Sequence, residues 1–218
     1  MSVHPKFPVY SRPGTPKGVF QSPRATIGVV HRLINEFQVA NRIHHMSGKK
    51  HKETTRGCKW IPPGRGLHKL NVDASLCRTK TKGAVAVVCR NDQGRFVAAS
   101  AMVCPTIQDI ETLEAIACAE ALALAEDCGI RKIKVASDRL NVVNNIKEIP
   151  RCSYMMILRD IQERAKAFDC VQFMHEGRDC NVEAHNLAKL ACTFGDGGHV
   201  WFTSPPDVLD VNVVTNDV

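Results

Sequence analysis

Three carboxylates stand where an apolar core would not choose them. Asp73 interrupts the strand-like run KLNVDASL, among Leu70, Val72 and Leu76. A charge in the middle of such a run is costly unless it is paired or holds a cation. Glu114 lies early in a helical stretch beside Leu113 and Ile116, and Asp138 follows the run IKVAS where a new helix begins. Taken alone, Asp138 reads as a helix N-cap and Glu114 as a solvated helix residue. Taken together, an acid on a central strand, one on the next helix and one at a strand's C-terminal end can converge at one rim of a sheet. Converging carboxylates favour hard, oxygen-seeking cations such as Mg²⁺. Two such ions about 4 Å apart clamp the attacking and leaving oxygens of a phosphodiester. No Gly-rich phosphate loop, Ser/His/Asp set or dinucleotide fingerprint competes with this reading.

A fourth residue raises a sharper question. His185 sits in DCNVEAHNLAKLA, between Ala184 and Asn186, on a segment whose other strong positions are Leu187, Leu190 and Ala191. From these residues alone it is a core histidine, a metal ligand or the successor of a lost carboxylate.

The elements that must position these groups are legible. KLNVDASLC (69–77), GAVAVVCR (83–90) and RFVAASAMV (95–103) read as strands, the last two joined by the turn NDQG. Short connections make the three antiparallel. Apolar spacing predicts a helix over 109–128 ended by Gly129, a strand over 131–137 and a helix over 139–148 stopped at Pro150. A helix over 153–168, the strand CVQFMHE and a closing helix over 181–192 complete a mixed α/β sheet with helices on its faces.

Composition bounds the rest. Of 218 residues, 44% are hydrophobic and 23% charged, which is globular composition. No apolar run approaches the roughly 18 residues of a membrane span, and the N-terminus has no secretory apolar segment. Ten cysteines lack CxxC or zinc-ligand spacing, and they read as reduced thiols of an intracellular protein, nuclear or cytoplasmic and not secreted. Charge is uneven: residues 1–56 hold 10 Lys/Arg against 2 Asp/Glu, while the whole chain carries only +7. That block reads as a basic, largely irregular arm and linker, with one amphipathic helix at 25–46. Its basic charge suits either a nucleic-acid contact or a solvated tail.

The run from KWIPPGRGLHKLNVDAS through VVCRNDQGRFVAAS, ETLEAIACAEALALAEDCGIRKIKVASDRLNVV and HEGRDCNVEAHNLAKLA resembles the plant ribonuclease H-like family. These are type 1 RNase H domains associated with reverse transcriptases, as at the C-termini of LINE-like retroelement polyproteins. The likeness spans roughly residues 59–194. It implies a ribonuclease H-like fold: a five-stranded mixed sheet, three antiparallel strands then two more, flanked by helices. The domain is expected over 57–195 with an irregular tail at 196–218. The resemblance further implies hydrolysis of the RNA strand of RNA–DNA hybrids by a monomer holding two Mg²⁺ ions, with Mn²⁺ as a substitute.

Residue by residue, Asp73 matches the acid that bridges both metals. Glu114 matches the helix glutamate that holds one metal and reaches the RNA 2′-hydroxyl, and Asp138 matches the third acid. Glu120 is then a second, noncatalytic glutamate. His185 occupies the place of the family's final-helix aspartate and is counted with the metal ligands. His175, ten residues earlier, matches a mobile histidine that assists proton transfer and product release. The acid-to-imidazole change at 185 leaves an alternative: a catalytically weak or inactive nucleic-acid-binding module retained from a retroelement.

Overall fold

The computed structural model describes residues 60–78, 82–202 and 204–209; the basic arm and the helix expected at 25–46 lie outside them. Among the described residues six strands form one sheet, in the order β5 (Cys170–His175), β4 (Lys132–Ser137), β1 (His68–Leu76), β2 (Lys82–Arg90), β3 (Phe96–Pro105) and β6 (Gly198–Trp201). β1 pairs antiparallel with β2, which pairs antiparallel with β3. On its other side β1 runs parallel to β4, and β4 parallel to β5. The β2–β3 turn is built by Asn91, whose side-chain oxygen accepts from the backbone N–H groups of Gln93 and Arg95, while Gly94 supplies the positive φ of 74°.

The sheet is covered on both faces, which is why β2 reads as a nearly continuous apolar run. Leu70, Val72, Val85 and Val87 pack on α1 (Ile110–Asp127), behind which lie α2 (Leu140–Glu148) and α3 (Met155–Ala165). α1 is buried without a break from Thr112 to Ala125, as expected of a central helix. Its start is fixed by Asp109, whose carboxylate accepts from the Thr112 N–H. The opposite face is lined by small residues, Ala84, Ala86, Ala99 and Ala101, and these admit α4 (Val182–Ala191) through Ala184, Leu187, Ala188 and Ala191.

Two expectations need correction. A sixth strand, β6 (Gly198–Trp201), pairs antiparallel with β3 from Ala99↔Trp201 to Met102↔Gly198, so the sheet has six strands and the segment after 195 is not irregular throughout. The reason is the open edge of β3, whose backbone groups need partners. Cys180 is disulfide-bonded, so the expectation of ten reduced thiols fails there. The eight other cysteines among the described residues remain thiols, including Cys170 and Cys192, the nearest to Cys180 in sequence. Spacing marks only local pairs, and the bond skips both of these neighbours. Among the described residues no helix is long and apolar enough to cross a membrane.

Candidate metal centre at the rim of the sheet

Alternation along β1 puts Lys69, Asn71 and Asp73 on one face and Leu70, Val72 and Ala74 on the other. The apolar set joins the α1 core, while Asp73 turns toward α4. Glu114 comes from the first turns of α1 and Asp138 directly follows β4. One oxygen from each of Asp73, Glu114 and Asp138 lies within 4.8 Å of the other two. The three acids expected from the sequence are thus brought together. Neither histidine belongs to that group, and neither does Glu120.

Asp73 and Glu114 are 1% and 0% exposed. Burial pushes the Asp73 carboxyl up to about 6, with Asp138 adding to the rise while the His185 hydrogen bond and Arg178 oppose it. Burial also lifts Glu114 well above the usual range, reinforced by Asp73 and Asp138 and opposed by Arg139. Buried like charges at this spacing ask for a cation. Asp138 sharpens the point: its Oδ1 is buried with no hydrogen-bond partner. An orphaned oxygen on one of three converging carboxylates fits an oxygen-seeking divalent ion.

The surroundings are supplied by side chains that no sequence pattern singles out. Ser137 Oγ donates to Glu114 Oε2 at 3.4 Å and accepts the Arg139 backbone N–H at 3.1 Å. The Arg139 guanidinium donates from Nε to Glu114 Oε1 at 3.4 Å and lies 3.8 Å from Asp138 Oδ1. Arg178 approaches the other oxygen of Asp138 at 3.7 Å. Asp138 does not cap α2: the N-cap position is Arg139, which makes no side-chain capping bond.

His185 stands beside the cluster as a partner of one acid. Its Nδ1–H donates to Asp73 Oδ2 at 2.9 Å. Four residues earlier, at the start of the same helix, Asn181 donates to the Val72 carbonyl at 2.8 Å and accepts from Asn71 at 3.0 Å. Lys69, fully buried, pairs with Glu176 at 2.6 Å and donates to the Ile61 carbonyl. Trp60 completes the set by donating to Asn71. Lys69, Asn71 and Asp73 therefore form three polar rungs from one face of β1 to the 176–185 segment. The signal is present in the sequence as polar residues at i, i+2 and i+4, but only Asp73 carries a charge that its neighbours cannot explain. His175 ends β5 opposite Ser137, exposed at the same rim of the sheet but outside the rungs.

Glu120 is separate. It is buried further along α1, where burial pushes its carboxyl up to about 7 against the influence of Ser100 and Arg164.

Comparison with known proteins agrees with this architecture. The family model described as reverse transcriptase-like matches residues 71–191. The RNase H1 of the halophilic archaeon Halobacterium salinarum NRC-1 superposes with a TM-score of 0.53 at 22% identity, over 57% of this chain and 96% of that one. The N-terminal RNase H domain of a Mycobacterium tuberculosis protein, solved as a fusion with maltose-binding protein, gives 0.51 at 18% identity over 58% and 93%. No curated protein matches in sequence.

Proposed function

The chain belongs to the reverse transcriptase-like family, and from that premise we propose that it is a metal-dependent nuclease hydrolysing the RNA strand of RNA–DNA hybrids. The observation that carries the reading is the convergence of Asp73, Glu114 and Asp138, with a buried oxygen on Asp138 that has no hydrogen-bond partner. The fold shared with the archaeal and mycobacterial RNase H domains supports it.

Asp73, Glu114 and Asp138 would hold divalent cations, Mg²⁺ by the hardness of their oxygens and Mn²⁺ as a substitute. When bound, such ions activate water and neutralise charge developing on a phosphodiester. The protein's own contribution is positional. β1 and β4 present two acids from adjacent parallel strands, and α1 brings the third. By donating to Asp73, His185 would orient that carboxylate and favour its charged form against the burial that raises it. This contact supports a positioning role for His185, beside the ligation that its alignment with an acid implies. His175, exposed at the same rim, would serve as the mobile histidine that the resemblance implies. The excess charge of the first 56 residues supplies attraction for phosphate backbones.

The test is cleavage of a hybrid labelled on either strand, in Mg²⁺ and in Mn²⁺, with Asp73→Asn as control. Cleavage of the RNA strand alone, lost in the variant, is the expected result. Retained hybrid binding without cleavage in either metal would overturn the nuclease reading in favour of a silent binding module. That second reading is favoured by one residue, the imidazole at 185.

A further inference from the structure

We propose that Arg139 is a two-position cation: without metal it neutralises Glu114 and Asp138, and with metal it is released to grip the phosphate of the nucleic acid. The inference rests on the nuclease reading and adds a residue to it.

Arg139 stands between the cluster and solvent. Its Nε faces Glu114 Oε1 at 3.4 Å and Asp138 Oδ1 at 3.8 Å, and the side chain is 43% exposed. Both separations exceed the 2.7–2.9 Å or so of a committed charge-assisted hydrogen bond. The Glu114 contact is thus a long, weak hydrogen bond and the Asp138 contact acts through charge alone, so the half-exposed guanidinium is only loosely held. The Asp138 oxygen that it faces is the one left without a hydrogen-bond partner. Arg139 and a divalent ion thus seek the same two carboxylates. Both cannot occupy that space, and like charge drives them apart.

What makes the released state useful is where Arg139 is rooted. Its backbone N–H is fixed by Ser137 Oγ, and Ser137 also donates to Glu114. The arginine is held at the rim while its long side chain remains half in water. Swung outward, a guanidinium there meets a phosphodiester bidentately, which a lysine ammonium cannot do. Arg178, 60% exposed and 3.7 Å from the second Asp138 oxygen, remains as a counter-charge when Arg139 departs. Metal would accordingly load before nucleic acid grips tightly.

The prediction has opposite signs in two measurements on the full chain. In Arg139→Ala, Mn²⁺ affinity followed by the paramagnetic signal of free Mn²⁺ rises about five- to tenfold. Affinity for a hybrid in Ca²⁺, used as a non-cleaving ion, falls severalfold, and the salt slope of binding drops by about one. Arg139→Lys tightens Mn²⁺ less than Arg139→Ala and recovers part of the hybrid affinity. Tighter Mn²⁺ with unchanged hybrid binding, or weaker hybrid binding with unchanged Mn²⁺, overturns the proposal. Asp73→Asn separates this from the underlying reading: a wild-type chain with no Mn²⁺ binding sensitive to that change overturns both.

Discussion

At the scale of single residues, the imidazole at 185 decides how the site differs from a four-acid centre. An aspartate there would add a negative charge; histidine instead donates Nδ1–H to Asp73 at 2.9 Å. That bond lowers the cost of ionising an acid that burial has pushed up to about 6. Groups that orient and ionise a metal-holding carboxylate typically contribute about 10- to 100-fold in metal affinity. His185→Ala is therefore expected to weaken Mg²⁺ affinity about tenfold, measured by calorimetry, with the fold retained by circular dichroism. His185→Asp restores an acid at the fourth corner and is expected to raise Mg²⁺-supported cleavage severalfold, more than Mn²⁺-supported cleavage. Equal cleavage by wild type and His185→Asp in Mg²⁺ would refute the advantage expected of an acid at that corner. The three acids are legible in the sequence because each breaks an apolar pattern. Arg139 and Arg178 are not: long cations at loop positions look like ordinary solvated charge until the fold aims them at Asp138. Asp138 itself is open to misreading as a cap, since a local rule accounts for an aspartate there as well as a distant partner does.

At the scale of elements, the position of Glu114 depends on how closely α1 approaches β2. Gly83 begins the apolar part of β2, and a Cβ there would lie 2.3 Å from Leu113 Cδ1 and 2.9 Å from Cδ2. Leu113 is completely buried, so its side chain has little room to yield. Gly83→Ala is expected to destabilise the fold by about 1–3 kcal/mol, the usual cost of overpacking. It should also displace the turn carrying Glu114 and weaken metal binding. Chemical denaturation of Gly83→Ala, Leu113→Ala and the double variant gives the check. The double variant should lose less than the two single losses combined, because truncating Leu113 removes the clash. Strict additivity would mean that Gly83 matters for another reason. α1 and the five longer strands are legible from their apolar content and from the turn and cap residues that bound them. β6 escapes notice because four residues, Gly-His-Val-Trp, are too short to alternate visibly, and only the open edge of β3 gives them a place. Lys69 and Asn71 escape because the pattern of β1 is dominated by its apolar face, while their meaning lies in partners more than a hundred residues away, Glu176 and Asn181.

At the scale of the molecule, several acids are buried in the same domain, and their protonation couples folding to pH. Burial raises Asp73 to about 6 and Glu120 to about 7, and lifts Glu114 well above the usual range. A raised carboxyl binds protons more tightly in the folded state than in the unfolded chain. Its favourable contribution is complete below the unfolded value and disappears as pH rises through the folded one. For Glu120 that window runs from 4.5 to about 7. A metal ion bound at the cluster would offset the part due to Asp73 and Glu114, since a cation there favours their charged forms. It does nothing for Glu120, which lies outside the cluster. The two parts are separable. In EDTA, thermal stability should decline between about pH 5 and 8, and added Mg²⁺ should raise the melting temperature more at the upper end than at the lower. Glu120→Gln removes the cost of a buried charge in either condition. From the shift of its carboxyl, the gain at pH 8 is about 3 kcal/mol at most and under about 1 kcal/mol at pH 5. Melting curves of wild type and Glu120→Gln, with and without Mg²⁺, measure it directly. A stabilisation that is the same at both pH values would place the effect in packing, and one that vanishes with Mg²⁺ would place Glu120 in the metal centre after all.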